Sequence, residues 1–158
     1  MKKYQEWLLR SFIVCFGLTV ALLCIFWLPS VASYSAKTFP NLAYLRYPVY
    51  IWMVITTVPF YIALYNANNL LSLIQTKAAF TESSTKHLGN ISYCGLAVAV
   101  SYIVLGGVLF IAKACHPGII LAFSFLILTS MTISFFAKLL KTLLEEALRY
   151  KNENDLTI

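Results

Sequence analysis

Four long runs without a charged residue constrain the fold of this chain more than any other feature. They cover residues 11–33, 47–76, 88–112 and 117–137. A helix of about 20 residues crosses a hydrocarbon core about 30 Å thick, so every run is long enough to span a membrane. The runs lack the polar–apolar alternation of barrel strands, and a backbone in lipid must satisfy its own hydrogen bonds. They therefore predict transmembrane helices.

Composition supports this interpretation, because hydrophobic residues make up 60% of the 158 residues and charged residues only 11%. A soluble domain carries roughly 25% charged residues. We predict an all-α integral membrane four-helix bundle with cytoplasmic helix extensions. It forms a single four-span domain over residues 1–158, with spans at about 11–33, 47–69, 88–112 and 118–138 and a cytoplasmic amphipathic helix and tail at 139–158.

The distribution of basic residues predicts the orientation. With the N-terminus inside, nine of the twelve basic residues lie in inner segments: Lys2, Lys3, Arg10, Lys77, Lys86, Lys138, Lys141, Arg149 and Lys151. Only Lys37, Arg46 and Lys113 then lie outside. The positive-inside bias therefore places both termini in the cytoplasm. The same placement explains the net charge of +6 without direct binding of nucleic acid.

The first helix leaves an alternative open. Basic residues precede it, and Val31-Ala32-Ser33 could serve as the cleavage site of a signal peptide. The run from residue 11 is longer than a usual signal core, and an arm of ten residues precedes it. Both features favour a retained helix.

The third helix has a recognisable start and a face of small residues. Thr81 is expected at the N-cap, where its hydroxyl can accept a hydrogen bond from a free amide of the first turn. Glu82 follows, where the helix dipole favours a negative charge. Gly95, Ala99 and Gly106 would let a neighbouring helix approach closely.

The fourth helix shows no breaker before Asn152 and becomes amphipathic after Lys138. Its charged end and the inner loop form one polar surface. The contact residues predicted on this surface are Asn66, Asn68, Asn69, Thr81, Glu82, Glu153, Asp155, Leu156 and Ile158. Either the surface docks a soluble partner or a second copy of the chain, or the helix ends extend beyond the bilayer and pack on each other.

Residues that could carry chemistry are sparse. The four cysteines form no CxxC pair, and Cys115 beside His116 supplies at most half of a zinc site. The four uncharged runs hold no Asp, Glu, Lys or Arg, and the absence of an ionisable residue at membrane depth disfavours a pump. We expect no catalytic residue, no metal and no cofactor, and therefore no enzyme.

Two segments carry a family resemblance. Phe80-Thr81-Glu82 with Leu88-Gly89-Asn90-Ile91, and the terminal Glu153-Asn154-Asp155-Leu156-Thr157-Ile158, resemble the YoaS-like bacterial membrane proteins, a domain of unknown function numbered 2975. The length and the four-span layout agree over essentially the whole chain. The resemblance implies a multi-pass protein of the bacterial cytoplasmic membrane without catalytic residues. It also implies a gene beside a small helix-turn-helix regulator.

As the preferred function, we predict that the chain is a non-enzymatic regulatory or interaction protein. Its expected partners are the lipid bilayer, a small cytoplasmic regulator protein and a second copy of the chain in a homo-oligomer. The alternative is a small transport or immunity-type protein that handles an amphiphilic substrate or peptide. That alternative predicts a cavity lined by Thr56, Thr57, Ser101 and Thr129.

Overall fold

The computed structural model describes residues 3–22, 25–26, 46–76, 80–112 and 117–155. These residues form four helices and contain no strand: α1 (Lys3–Leu22), α2 (Arg46–Gln75), α3 (Glu82–Ile111) and α4 (Pro117–Asp155). The predicted all-α membrane fold is confirmed. The segment Val31-Ala32-Ser33 and the pair Cys115-His116 lie outside the described residues.

Helices α2, α3 and α4 each contain a stretch long and apolar enough to cross a membrane. These stretches are Tyr47–Gln75, Glu82–Ile111 and Pro117–Glu153. At 1.5 Å per residue, helices of 30 residues measure about 45 Å, which exceeds a hydrocarbon core of about 30 Å. The first predicted span is described only as far as residue 22 and at residues 25–26, and its apolar helix Trp7–Leu22 is shorter.

Helix α3 starts at the predicted position, but the predicted capping hydrogen bond is not formed. Thr81 occupies the N-cap in an extended conformation, with Glu82 in the first turn. The Thr81 hydroxyl accepts no capping hydrogen bond from the backbone; it lies 3.4 Å from the Ser84 hydroxyl. The expected side-chain cap is therefore wrong. The backbone closes the turn instead, through Ser84 N–H donating to the Thr81 carbonyl at 3.0 Å.

Helix α3 lies between α2 and α4, and the extensive contacts among the described residues join consecutive helices. Neighbours run antiparallel: Trp52 Nε1 donates to the Ser101 carbonyl near one end of α2, and Asn66 contacts Asn90 near the other. Helix α1 meets α2 over a smaller area, where the Tyr61 hydroxyl donates to the Gly17 carbonyl at 2.8 Å.

The seam between α3 and α4 consists of small residues. A Cβ added to Gly95 would lie 3.0 Å from the Ser130 carbonyl oxygen and 3.1 Å from Cβ of Ser134. Ser134 Oγ donates to the Ser92 carbonyl at 2.7 Å across this seam. Ala99 is 1% exposed. The predicted close helix contact is confirmed at Gly95, as expected where packing rather than hydrophobic burial joins helices. At Gly106 an added Cβ would lie at an ordinary contact distance of 3.6 Å from the Phe123 ring.

Most large apolar side chains point outwards, as a lipid-facing surface requires. Phe12, Ile111, Leu121 and Phe125 are all largely exposed, while the buried positions include Thr56, Asn66, Ser84, Thr85 and Ser134. An apolar exterior around a seam of small and polar residues is the arrangement expected when the solvent is hydrocarbon.

Candidate functional site

Many polar residues of the described part of the chain lie at the end of α2, the start of α3 and the last part of α4. We call this region the polar end. It contains the described members of the predicted contact surface, and Leu156 and Ile158 lie outside the described residues. The structure separates the members into an internal group and an exposed group.

Asn66 belongs to the internal group, because it is only 5% exposed. Its Nδ2 donates to the Ile62 carbonyl at 2.8 Å, which leaves Oδ1 as the acceptor. Oδ1 accepts from His87 Nδ1 at 2.8 Å and from Asn90 Nδ2 at 3.2 Å. One buried amide therefore ties two turns of α3 to α2, and its polar atoms are satisfied by the protein itself.

Asn68 and Asn69 follow two and three residues later and are half-buried. Within the described part of the chain, the Asn68 Oδ1 atom is buried without a hydrogen-bond partner. Most buried polar atoms have a partner, so this oxygen is an exception in the region.

The exposed group lies on α3 and α4. Glu82 is exposed in the first turn of α3, and half-buried Thr81 precedes it. Glu153 is exposed near the end of α4, with its carboxylate 3.8 Å from Arg149 Nε, and Asp155 is the last residue of that helix. Glu82 and Glu153 are open to the surroundings, whereas Asn66 is not.

A cleft of about 600 Å³ opens between the first turns of α3 and the last turns of α4. We call it the basic cleft. Its charged lining residues are Lys86, Lys141, Arg149, Glu82 and Glu145. Lys141 lies over Gly89, with the Lys141 Cδ atom 3.6 Å from where a glycine Cβ would be. Lys86, Lys141 and Arg149 are not among the predicted contact residues.

A second cleft lies along the same two helices and is apolar. It measures about 340 Å³ and includes Leu88, Ile91, Ile133, Phe136 and Leu140. These residues lie roughly opposite the basic cleft around both helices, given 100° of rotation per residue. The α3–α4 seam thus has one charged side and one apolar side.

Three of the four hydroxyls predicted to line a transport cavity bond to their own helices. Thr56 donates to the Met53 carbonyl at 2.7 Å, and Thr57 donates to the Val54 carbonyl at 2.6 Å. Thr129 is exposed on α4 and donates to the Phe125 carbonyl at 2.8 Å. Neither of the two clefts is lined by these residues or by Ser101.

Metal-ligating side chains do not converge in the described part of the chain. Within it, no three His, Cys, Asp or Glu side chains are placed to hold a metal ion. Cys15 and Cys94 are free thiols.

Residues 30–158 match the family described as "Protein of unknown function (DUF2975)". The chain is also 41% identical over 160 residues to "Uncharacterized membrane protein YoaS" of Bacillus subtilis (strain 168), and the alignment covers 100% of each chain. No solved structure matches the chain.

Proposed function

We propose that this chain, which belongs to the DUF2975 family of membrane proteins, is a non-enzymatic regulatory protein that holds a soluble partner at the membrane surface. The observation that supports this proposal is a set of exposed leucines on α4 beyond the apolar run. Leu139, Leu140 and Leu143, which we call the leucine ridge, are 56%, 40% and 54% exposed.

The length of α4 argues that the leucine ridge lies at or beyond the membrane boundary. Its 39 residues measure about 58 Å, against a hydrocarbon core of about 30 Å. A span of about 20 residues that starts at Pro117 ends near Lys138, where the charged residues begin. The residues after Lys138 therefore face water or headgroups.

The spacing of the ridge suits a helix that docks in a partner's groove. Leu139 and Leu143 are four residues apart, and Leu140 and Leu143 are three apart, so they share one face. Anchors at these spacings are typical of amphipathic helices that bind apolar grooves. In the described part of the chain the extensive contacts of α4 are with α3, and the ridge leucines are exposed, so the ridge is accessible to such a partner.

The partner we expect is the small helix-turn-helix regulator that the family resemblance implies, bound in the cytoplasm. Glu145, Glu146 and Glu153 lie exposed among Lys141, Arg149 and Lys151 in the same segment. Mixed charges around an apolar contact favour one docking orientation over others. A regulatory role also agrees with hydroxyls of the spans that bond to their own helices and with the internal bonding of Asn66.

Site-specific photo-crosslinking in cells tests the proposal. A photoreactive residue at position 143 should cross-link a small soluble protein. The same residue at position 128, which is also exposed but lies within the apolar run, should not. Cross-links from position 143 only to lipid or to helices of this chain would contradict the proposal.

A truncated chain measures the contribution of the tail. Removal of residues 152–158 should reduce recovery of the cross-linked protein if the tail forms part of the contact. Unchanged recovery would confine the contact to the leucine ridge and exclude the tail.

A further inference from the structure

The basic cleft combines three cationic side chains from two helices. Lys86 comes from the second turn of α3, and Lys141 and Arg149 come from α4, eight residues apart and so on one face. Glu82 and Glu145 also line the cleft. The charged lining is therefore positive by one formal charge, with the N-terminal end of α3 close by.

The ion pairs around the cleft leave its cations available. Lys141 Nζ lies 3.6 Å from Glu145 Oε1, and Arg149 Nε lies 3.8 Å from Glu153 Oε1. Both Arg149 and Glu153 are about two-thirds exposed, and such pairs contribute little free energy. An arriving anion with several oxygens can compete with a single long carboxylate contact, especially at a guanidinium.

The end of the cleft nearest the apolar runs, where Lys86 and Lys141 lie, matches the depth of the headgroup layer of a bilayer. The uncharged run of α3 begins at Leu88, two residues after Lys86, and that of α4 ends at Ala137, four residues before Lys141. Lys141 extends its apolar stem along Gly89, as lysines do where they lie across the boundary between lipid and water. Exposed Tyr93, which lines the same cleft, is of a type enriched at that depth.

We propose that the basic cleft binds the phosphate group of an anionic phospholipid. Basic clefts between membrane helices are known to hold anionic headgroups at this boundary. Asn90 and Asn152 add amide groups to the lining. The leucine ridge lies on the opposite face of α4 from Lys141 and Arg149, so this site does not depend on the proposed partner.

Lipid binding in nanodiscs tests this site. The full chain is reconstituted in phosphatidylcholine, phosphatidylglycerol is added in steps, and bound lipid is counted by native mass spectrometry. We compare the native chain with Lys86→Gln, Arg149→Gln and the double variant. Each lost cation should weaken phosphatidylglycerol binding about fivefold.

Lys151→Gln is the matched control, because Lys151 is exposed on the same part of α4 but does not line the cleft. It should retain native affinity. Equal loss in Lys151→Gln and the cleft variants would overturn the proposal, since the effect would then belong to the general surface charge. Native affinity in a double variant that keeps its thermal stability would also overturn it.

Binding of inorganic phosphate distinguishes free phosphate from a lipid headgroup as the anion that the cleft binds. Added to the native chain in phosphatidylcholine alone, it should bind far more weakly than phosphatidylglycerol, and phosphatidylglycerol should displace it. Tight binding of inorganic phosphate that phosphatidylglycerol does not displace would reject the lipid as the ligand.

Discussion

The His87 ring joins α3 to α2 through a hydrogen bond of 2.8 Å between its Nδ1 and Oδ1 of Asn66. The Asn66 amide also bonds Asn90 and the Ile62 carbonyl, so four residues from two helices meet at one buried side chain. This group fixes the relative positions of α2 and α3 at the polar end.

Replacement of Asn66 should loosen that end. Asn66→Ala leaves His87 and Asn90 without their acceptor, at a cost of about 1–3 kcal/mol of unfolding free energy. Asn69→Ala is the control, because Asn69 is half-buried on the same helix. It should change the free energy by less than about 0.5 kcal/mol. Thermal unfolding in detergent measures both, and equal losses would contradict the role of Asn66.

Gly95 and Gly107 offer a matched pair on α3. The Cβ of Gly95→Ala would lie 3.0 Å from a backbone oxygen of α4, whereas nothing lies within 4 Å of a Cβ at Gly107. Gly95→Ala should lower the melting temperature, with a cost of about 1–3 kcal/mol for overpacking. Gly107→Ala should leave it unchanged or raise it, because alanine favours a helix over glycine. A stable Gly95→Ala variant would show that the seam can widen freely.

Tyr61 should hold α1 against α2. Tyr61→Phe removes the donor to the Gly17 carbonyl, and such bonds between membrane helices contribute about 0.6 kcal/mol on average. Because α1 meets α2 over only a small area in the described part of the chain, this loss should speed proteolysis of the N-terminal segment in detergent. Tyr65→Phe, one turn later on the same helix and largely exposed, should not change the rate.

Both termini of the chain should lie in the cytoplasm. The positive-inside distribution predicts that a fluorescent reporter folds on either end and that a phosphatase reporter stays inactive on either end. Fusions at each terminus of the full chain measure this directly. An active phosphatase at one terminus and a fluorescent fusion at the other would reject the predicted orientation.

The sequence predicts the helices well and their contacts poorly. The start of α3 at Thr81 and Glu82 follows from local rules, as does the length of α4. Local rules do not predict which helices pack against each other. Apolar side chains surround each span, so no single apolar stripe marks the packed face. Gly95 and Ala99 were informative because small residues themselves mark close approach.

The contacts of the polar end were also not predictable from the sequence. Asn66 is recognisable as a polar residue at the end of an apolar run, but its bond to His87 joins positions 21 residues apart. Lys141, Glu145 and Arg149 share a face of α4 by spacing alone, yet only the fold shows that Lys86 and Gly89 lie across from them. The basic cleft therefore could not be predicted before the helix pairing was known.

Helix α4 continues without a break from Pro117 to Asp155, so a span that ends near Lys138 would leave a rigid extension beyond the apolar run. The 17 residues after Lys138 extend about 26 Å past the apolar run. A tilt of about 10° at the bilayer would move the far tip by roughly 5 Å. Changes in bilayer thickness or in neighbouring lipids would thus appear, enlarged, as movement of the segment that carries Arg149 and Glu153.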